Sequence, residues 1–146
     1  MKIEFASAAD VPQMLPIERE ANKYPWTEQA FTSSFADSYF SYKLLDEAGV
    51  IQGFYIAQLI LETLELFNIC VATDSQGKGY GKALLQHFLT EGQSRGATEA
   101  LLEVRSNNHA AIALYQKAGF SINGLRKGYY VSADGKDDAI LMHKWL

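Results

Sequence analysis

The stretch Gln76-Gly77-Lys78-Gly79-Tyr80-Gly81 lies between an apolar run that ends at Val71 and a run with helical spacing that starts near Ala83. It reads as a glycine loop opening a helix. Glycines let the backbone approach a ligand closely, and the free N–H groups of a helix's first turn, with its dipole, favour an anion. A phosphate or pyrophosphate suits such a loop. Counting sets aside two familiar phosphate motifs. A P-loop that ends at Gly81-Lys82 would need a glycine at Gln76 and a hydroxyl at Ala83. A dinucleotide fingerprint starting at Gly77 would need its third glycine at Lys82, and no second βαβ unit follows.

A chain of 146 residues is expected to form one domain over 1–146, large enough to bury about two-thirds of the surface its unfolded form exposes. The net charge is −4, and lysine and arginine are scattered, with Arg126-Lys127 the only basic cluster. That argues against direct binding to nucleic acid and suits a basic substrate. Cys70 is the only cysteine, so no intrachain disulfide can form. The first residues lack a basic segment followed by a long apolar one, and no apolar run approaches the ~18 residues of a membrane span. A cytoplasmic protein with no membrane association is expected.

Ile3 and Phe5 mark a first strand over Lys2 to Ala6. Ser7 to Asp10 offers caps for a helix over Val11 to Ala21, in which Pro12 is tolerated and Pro16 should cause distortion. Thr27 is a candidate N-cap for a short helix carrying Phe31 and Phe35. Tyr39 to Leu45 and Val50 to Ile60 read as strands joined by a turn at Asp46 to Gly49. In the next strand, Leu61 to Val71, Leu64 and Leu66 share one parity, while Phe67, Ile69 and Val71 share the other. The slip fits either a β-bulge or a strand buried on both faces.

Leu84, Leu85, Phe88 and Leu89 form one helical stripe, and Gly96 supplies a stop. Ala100 to Val104 is a short strand. Asn107 or Asn108 caps a helix running to Ala118. Phe120 to Leu125, Gly128 to Val131 and Asp138 to Trp145 look like a final hairpin around Ala133-Asp134-Gly135. The order β-α-α-β-β-β-α-β-α-β-β is an α+β layout on a mixed sheet.

Two residues stand out chemically. Glu103 lies in Leu101-Leu102-Glu103-Val104, where a carboxylate is costly unless it is partnered, used or turned to solvent. Tyr115 follows Ile112 by three positions and reads equally as a core aromatic. Lys78 and Lys82 fit phosphate charges or plain solvation. His87, His109 and His143 share no metal-ligand spacing, so no metal is expected.

Gln76, Gly79 and Gly81 fill a Gln/Arg-x-x-Gly-x-Gly/Ala pattern that resembles the acyl-CoA loop of the GCN5-related N-acetyltransferase (GNAT) superfamily. The segments Leu66 to Val71, Leu102 to Asn108, Ala111 to Tyr115, Gly119-Phe120, Tyr129-Tyr130 and Asp137 to Met142, with Tyr24 to Glu28 upstream, resemble the bacterial ribosomal-protein-alanine N-acetyltransferases over the whole chain. That resemblance implies a mostly antiparallel seven-stranded sheet with helices on both faces. It implies acetyl-CoA as co-substrate and, as acceptor, the N-terminus of a ribosomal protein, the eighteenth of the small subunit. It places the general base on Glu103 and the general acid on Tyr115. Acetyl-CoA contacts fall on Ile69, Cys70 and Val71, on Gly77, Lys78, Gly79, Tyr80, Gly81 and Lys82, and on Asn108. Trp26, Glu28, Arg126, Tyr129, Tyr130 and Asp138 become candidates for the peptide groove, although Tyr129-Tyr130 also fits sheet-face packing. Thr73, Asp74 and Ser75 depart from the family's usual proline and aromatic before the loop. Rival readings are a lysine or small polyamine as acceptor, or an acyl-CoA-holding subunit serving a tRNA-modification assembly. A monomer is sufficient.

Overall fold

The structure, a computed structural model, describes residues 1–133 and 135–146. Asp134, in the expected final turn, lies outside them. Strand β1 (Lys2–Phe5) leads into helices α1 (Val11–Ala21) and α2 (Glu28–Ser33). Strands β2 (Tyr39–Leu45), β3 (Ile51–Ile60) and β4 (Thr63–Val71) follow. Helix α3 (Tyr80–Ser94) then crosses to β5 (Glu99–Arg105), and α4 (His109–Lys117) leads to the closing pair β6 (Ser121–Ser132) and β7 (Gly135–Trp145). The strands form one seven-stranded sheet in the order β1-β2-β3-β4-β5-β7-β6. Among the described residues only β4 and β5 run parallel, and the other neighbours are antiparallel.

Local chemistry accounts for these elements. The Thr27 hydroxyl accepts from Ala30 N at 3.1 Å and starts α2, and Asn108 Oδ1 accepts from Ala111 N at 3.2 Å and starts α4. Asp46 closes the β2–β3 turn by accepting from Ala48 N and Val50 N. The apolar stripe of α3 (Leu84, Leu85, Phe88, Leu89) packs with Leu64, Leu66, Ala100, Leu102 and Met142 on one sheet face. Val11, Met14, Leu15 and Phe31 pack with Phe54, Ile56 and Cys70 on the other. Each large apolar side chain wholly removed from water there contributes about 1.5–3 kcal/mol.

Helix α1 covers the expected Val11–Ala21, with Pro16 inside it on the exposed side. Elsewhere the structure departs from the sequence reading, chiefly in four places. Phe35 lies past the end of α2, yet still packs on that core. Leu61 and Glu62 form a two-residue turn, with Leu61 at φ +55°, so β4 starts at Thr63. Helix α3 starts at Tyr80, so Tyr80 and Gly81 belong to its first turn. The interruption expected at Arg126-Lys127 is a register shift between Arg126 and Tyr130 inside a continuous β6.

The parity slip in β4 is a bulge. Ile56 faces Asn68 and Ala57 faces Leu66, so Phe67 is the extra residue. Ile69 and Val71 thereby join Leu64 and Leu66 on the α3 side, while Cys70 turns to the α1 side. A bulge also bends its strand and increases local twist. Strands β4 and β5 pair only from Thr63–Leu66 with Glu99–Leu102. Past the bulge they separate, and the sheet opens as a wedge.

Candidate active site

Two cavities open from the wedge. On the α3 and α4 side it widens into a cleft of about 420 Å³, lined by Ile69, Cys70 and Val71, by Gly77, Gly79, Tyr80, Gly81 and Lys82, and by Asn108, Leu114 and Tyr115. Gly77 and Gly79 both have φ +82°, a left-handed conformation that glycine adopts without strain. The first amide of α3 with a backbone partner is Ala83, which donates to Gly79 O at 3.0 Å. The opening turn therefore presents unpaired N–H groups at the positive end of the helix dipole. Ser75 fastens the loop from beneath, buried and donating to Gln52 Oε1 at 2.7 Å.

A second cavity, of about 360 Å³, continues on the opposite side of the sheet, between Tyr24, Trp26, Asn68, Glu103, Arg105 and Tyr130. Ile69, Asn108 and Tyr115 line both cavities, so the two meet at the Tyr115 side chain. In β5 the even positions Ala100, Leu102 and Val104 are buried on the α3 side. Glu103 thus points to the opposite face, which α1 and α2 leave open there. It forms the groove floor, 27 % exposed, with Arg126 Nη2 at 3.5 Å from its Oε1.

The expected site residues divide as follows. Nine of the ten proposed cofactor contacts line the first cleft, and Lys78 does not. Trp26 and Tyr130 share the second cavity with Glu103. Tyr129 joins them in an adjoining pocket, and Arg126 pairs with Glu103. Glu28 is exposed on the first turn of α2, outside these cavities. Asp138 Oδ1 accepts from Gly128 N at 2.8 Å and so braces the β6–β7 hairpin. Cys70 offers only its main chain to the cleft. Its thiol sits in the α1 core, 3.8 Å from Ile17 O, and burial, then the Glu18 charge, pushes its pKa up. It is no nucleophile. Among the described residues no His, Cys, Asp and Glu groups gather in the manner of a metal site, and no helix is long and apolar enough to cross a membrane.

The acetyltransferase (GNAT) family model matches residues 11–120. The chain belongs to the GNAT acetyltransferase family. This acetyltransferase is 40% identical over 140 residues to the [ribosomal protein bS18]-alanine N-acetyltransferase of Escherichia coli, covering 96% of this chain and 94% of that protein. The protein of the same name from Haemophilus influenzae is 34% identical over 99% of this chain and 98% of its own length. The crystal structure of the ribosomal-protein-S18-alanine N-acetyltransferase from Escherichia coli superposes with a TM-score of 0.94 at 39% identity, covering 99% of this chain and 92% of that one.

The acetyltransferase's groove also contains residues that sequence reasoning passed over. Glu18 is fully buried in α1 and accepts from Trp26 N at 2.9 Å, Asn22 Nδ2 at 2.9 Å and Asn68 Nδ2 at 3.2 Å. A signal existed, because Val11, Met14, Leu15 and Glu18 follow i, i+3, i+4, i+7 spacing and put a charge on the buried stripe. Arg105 lies between two rings, 4.1 Å from the Tyr24 centroid and 4.5 Å from that of Tyr130, and its Nη1 donates to Asp137 Oδ2 at 3.1 Å. The Tyr24 hydroxyl accepts from Ala133 N at 2.9 Å. The α1–α2 connection and the β6–β7 hairpin are thus tied together beside the groove. These contacts span up to 109 positions in sequence, and no local pattern encodes them.

Proposed function

We propose that this chain transfers the acetyl group of acetyl-CoA to the N-terminal alanine of the small-subunit ribosomal protein bS18, in the cytoplasm, by direct attack of the amine on the thioester. The observation that carries the reading is the junction at Tyr115, where a cleft floored by a glycine loop and helix N-terminus meets a groove floored by Glu103. The relatives named above add the acceptor, since two carry that activity in their names at 34% identity or more over nearly the whole chain.

Acetyl-CoA fits the first cleft. Its pyrophosphate suits the amides of the Gly77–Lys82 turn, Lys82 adds a positive charge, and its pantetheine arm lies along β4 where β5 has withdrawn. The thioester then reaches the junction. A main-chain N–H near the bulge polarises the carbonyl oxygen. An N-terminal amine has a pKa near ~8, so roughly a tenth is already neutral at pH 7. Glu103 accepts the proton from the attacking amine, directly or through a water. As the new C–N bond forms and the C–S bond breaks, the departing thiolate takes the Tyr115 proton.

Burial, then the nearby Tyr130, pushes Tyr115 up to about 12. A free thiol of the cysteine type sits near ~8.5, so transfer to a fully departed thiolate is uphill by roughly 5 kcal/mol, and transfer to a sulfur still bonded to the acyl carbon costs more. Transfer is therefore coupled to departure of the sulfur. Tyr115 donates a hydrogen bond to the growing negative charge and delivers the proton as the bond yields.

The test is mass spectrometry of acetyl-CoA reactions with two short basic peptides, one with a free N-terminal alanine, the other N-blocked and carrying an internal lysine. A single acetyl on the first alone is expected, and Glu103→Gln should cut that turnover by about 10²-fold or more without loss of acetyl-CoA binding. Acetylation of the blocked peptide moves the acceptor to lysine. Silence on both, with acetyl-CoA bound, removes the N-terminal reading.

A further inference from the structure

Among the described residues between Cys70 and Leu84, Ser75 alone is buried. The loop that follows it turns on Gly77 and Gly79, with open space where their Cβ atoms would go, so apolar packing does little to hold it. Glycine loses more conformational freedom on ordering than any other residue. Left to itself, such a loop would have to be ordered by its ligand, at a cost in affinity. What fixes this one is polar, and it comes from β3.

Ser75 Oγ donates to Gln52 Oε1 at 2.7 Å, and Gln52 Nε2 donates to Asp46 Oδ2 at 2.9 Å. The other oxygen of Asp46 accepts from Ala48 N and Val50 N in the β2–β3 turn. The Val50 amide, then that of Gln52, hold this carboxyl below the usual carboxylate range. A carboxylate can only accept, so it selects the amide nitrogen of Gln52 and turns the carbonyl oxygen to Ser75. The direction of every bond in the series thus follows from one charge in the turn. The main chain adds a tie, since Gln52 O accepts from Ala72 N at 2.8 Å. The next residue meets the far end of the loop. A Cβ on Gly53 would stand 3.0 Å from Leu84 Cδ1, so β3 touches the second turn of α3 with no side chain of its own between them.

We propose that Gln52 is a positioning residue for acetyl-CoA: held by Asp46, it fixes Ser75 and thereby the entry to the glycine loop, so that the loop's amides are arranged before the pyrophosphate arrives. The inference rests on acetyl-CoA lying in the first cleft, as read above. Ser75 lines that cleft and Gln52 does not, so Gln52 acts through Ser75. Order supplied in advance strengthens binding and leaves the proton transfers at Glu103 and Tyr115 as they are.

The test measures the acetyl-CoA Kd by calorimetry, and kcat at saturating acetyl-CoA with the N-terminal alanine peptide, for Gln52→Met, Ser75→Ala and the double variant. Each single change should weaken acetyl-CoA by about three- to tenfold, the range of one lost hydrogen bond, with kcat within about twofold of the wild type. The double variant should match the weaker-binding single one within about twofold, because the two residues share one contact. Losses that multiply in the double variant overturn action through Ser75. A wild-type Kd in Ser75→Ala overturns the positioning role even where Gln52→Met fails to fold. So does an unchanged Kd beside a lowered Tm or kcat, the mark of a purely structural contact. Gly79→Ala, measured alongside, separates the two ways of failing. If it weakens acetyl-CoA while Gln52→Met and Ser75→Ala do not, the anchor falls and the cleft stands. If none of the three weakens it, acetyl-CoA lies elsewhere and the cleft reading falls too.

Discussion

Trp26 donates its backbone N–H to the fully buried carboxylate of Glu18 at 2.9 Å. Asn68, the residue after the bulge, donates to the other oxygen of the same carboxylate at 3.2 Å. One side chain of α1 thus sets the positions of the groove wall and the bulged strand. Glu18→Ala should lower stability by about 2–4 kcal/mol, since it strands buried donors and leaves a cavity. Glu18→Gln should cost about 1–3 kcal/mol, because its amide turns a donor toward donors. Urea unfolding measures both. In the folded fraction, KM for the peptide should rise while that for acetyl-CoA holds, and the opposite split would detach Glu18 from the groove.

For Tyr115 the direction of the shift decides the pH behaviour. With its pKa raised to about 12 by burial, the tyrosine keeps its proton to higher pH than a free phenol near ~10. Wild-type kcat/KM should rise up to the pKa of the substrate amine, about 8, and then stay level to about pH 10. Tyr115→Phe should lower kcat by about 10²–10³-fold at every pH and leave the shape of the curve intact. A wild-type alkaline limb that falls near pH 9 and vanishes in the variant would contradict the shift. The stability that Tyr115 contributes follows the same sign. It is intact below about pH 10 and lost as pH rises from there through about 12.

The two glycines that match the loop pattern should respond differently to alanine. Gly79 has φ +82° and open space where a Cβ would go. Gly79→Ala therefore costs about 1–2 kcal/mol of backbone strain alone. Relief of that strain would reorient the amides, raising the KM for acetyl-CoA. Gly81 lies inside α3, and its Cβ would come no closer than 3.7 Å to Leu114. Gly81→Ala should leave stability unchanged or raise it by up to about 1 kcal/mol. Thermal unfolding and acetyl-CoA titration of the pair check this, and equal losses would show that the ligand, rather than the backbone, sets the requirement.

Element by element, the chain revealed its periodic parts and hid its long-range ones. Helix α1 and strand β2 have the boundaries the sequence predicts, because capping side chains and apolar spacing are local. The two-residue turn at Leu61-Glu62 was missed since neither residue carries a turn signature, and Leu61 accepts φ +55° only because the strands it joins demand it. At the site, the glycine loop, Glu103 and Tyr115 were visible as residue types in the resemblance. Arg105 has no spacing that singles it out in the sequence. Its place between Tyr24 and Tyr130 depends on three segments meeting.

The bulge at Phe67 gives the middle of the sheet an arithmetic that substitutions leave untouched. Every side chain downstream of it in β4 owes its facing to that supernumerary residue being looped out. A chain lacking Phe67, all other residues kept, would pair Leu66 and Asn68 with Ala57 and Ile56 as a regular strand and leave every downstream facing as it is, losing only the bend. A strand that kept Phe67 but paired it without the bulge would instead present Asn68 and the Cys70 thiol to the α3 side, drive Ile69 and Val71 beneath α1 and take from Glu18 its Asn68 donor. The extra residue therefore serves the opening of the sheet, while the two packed faces need only that it stay looped out.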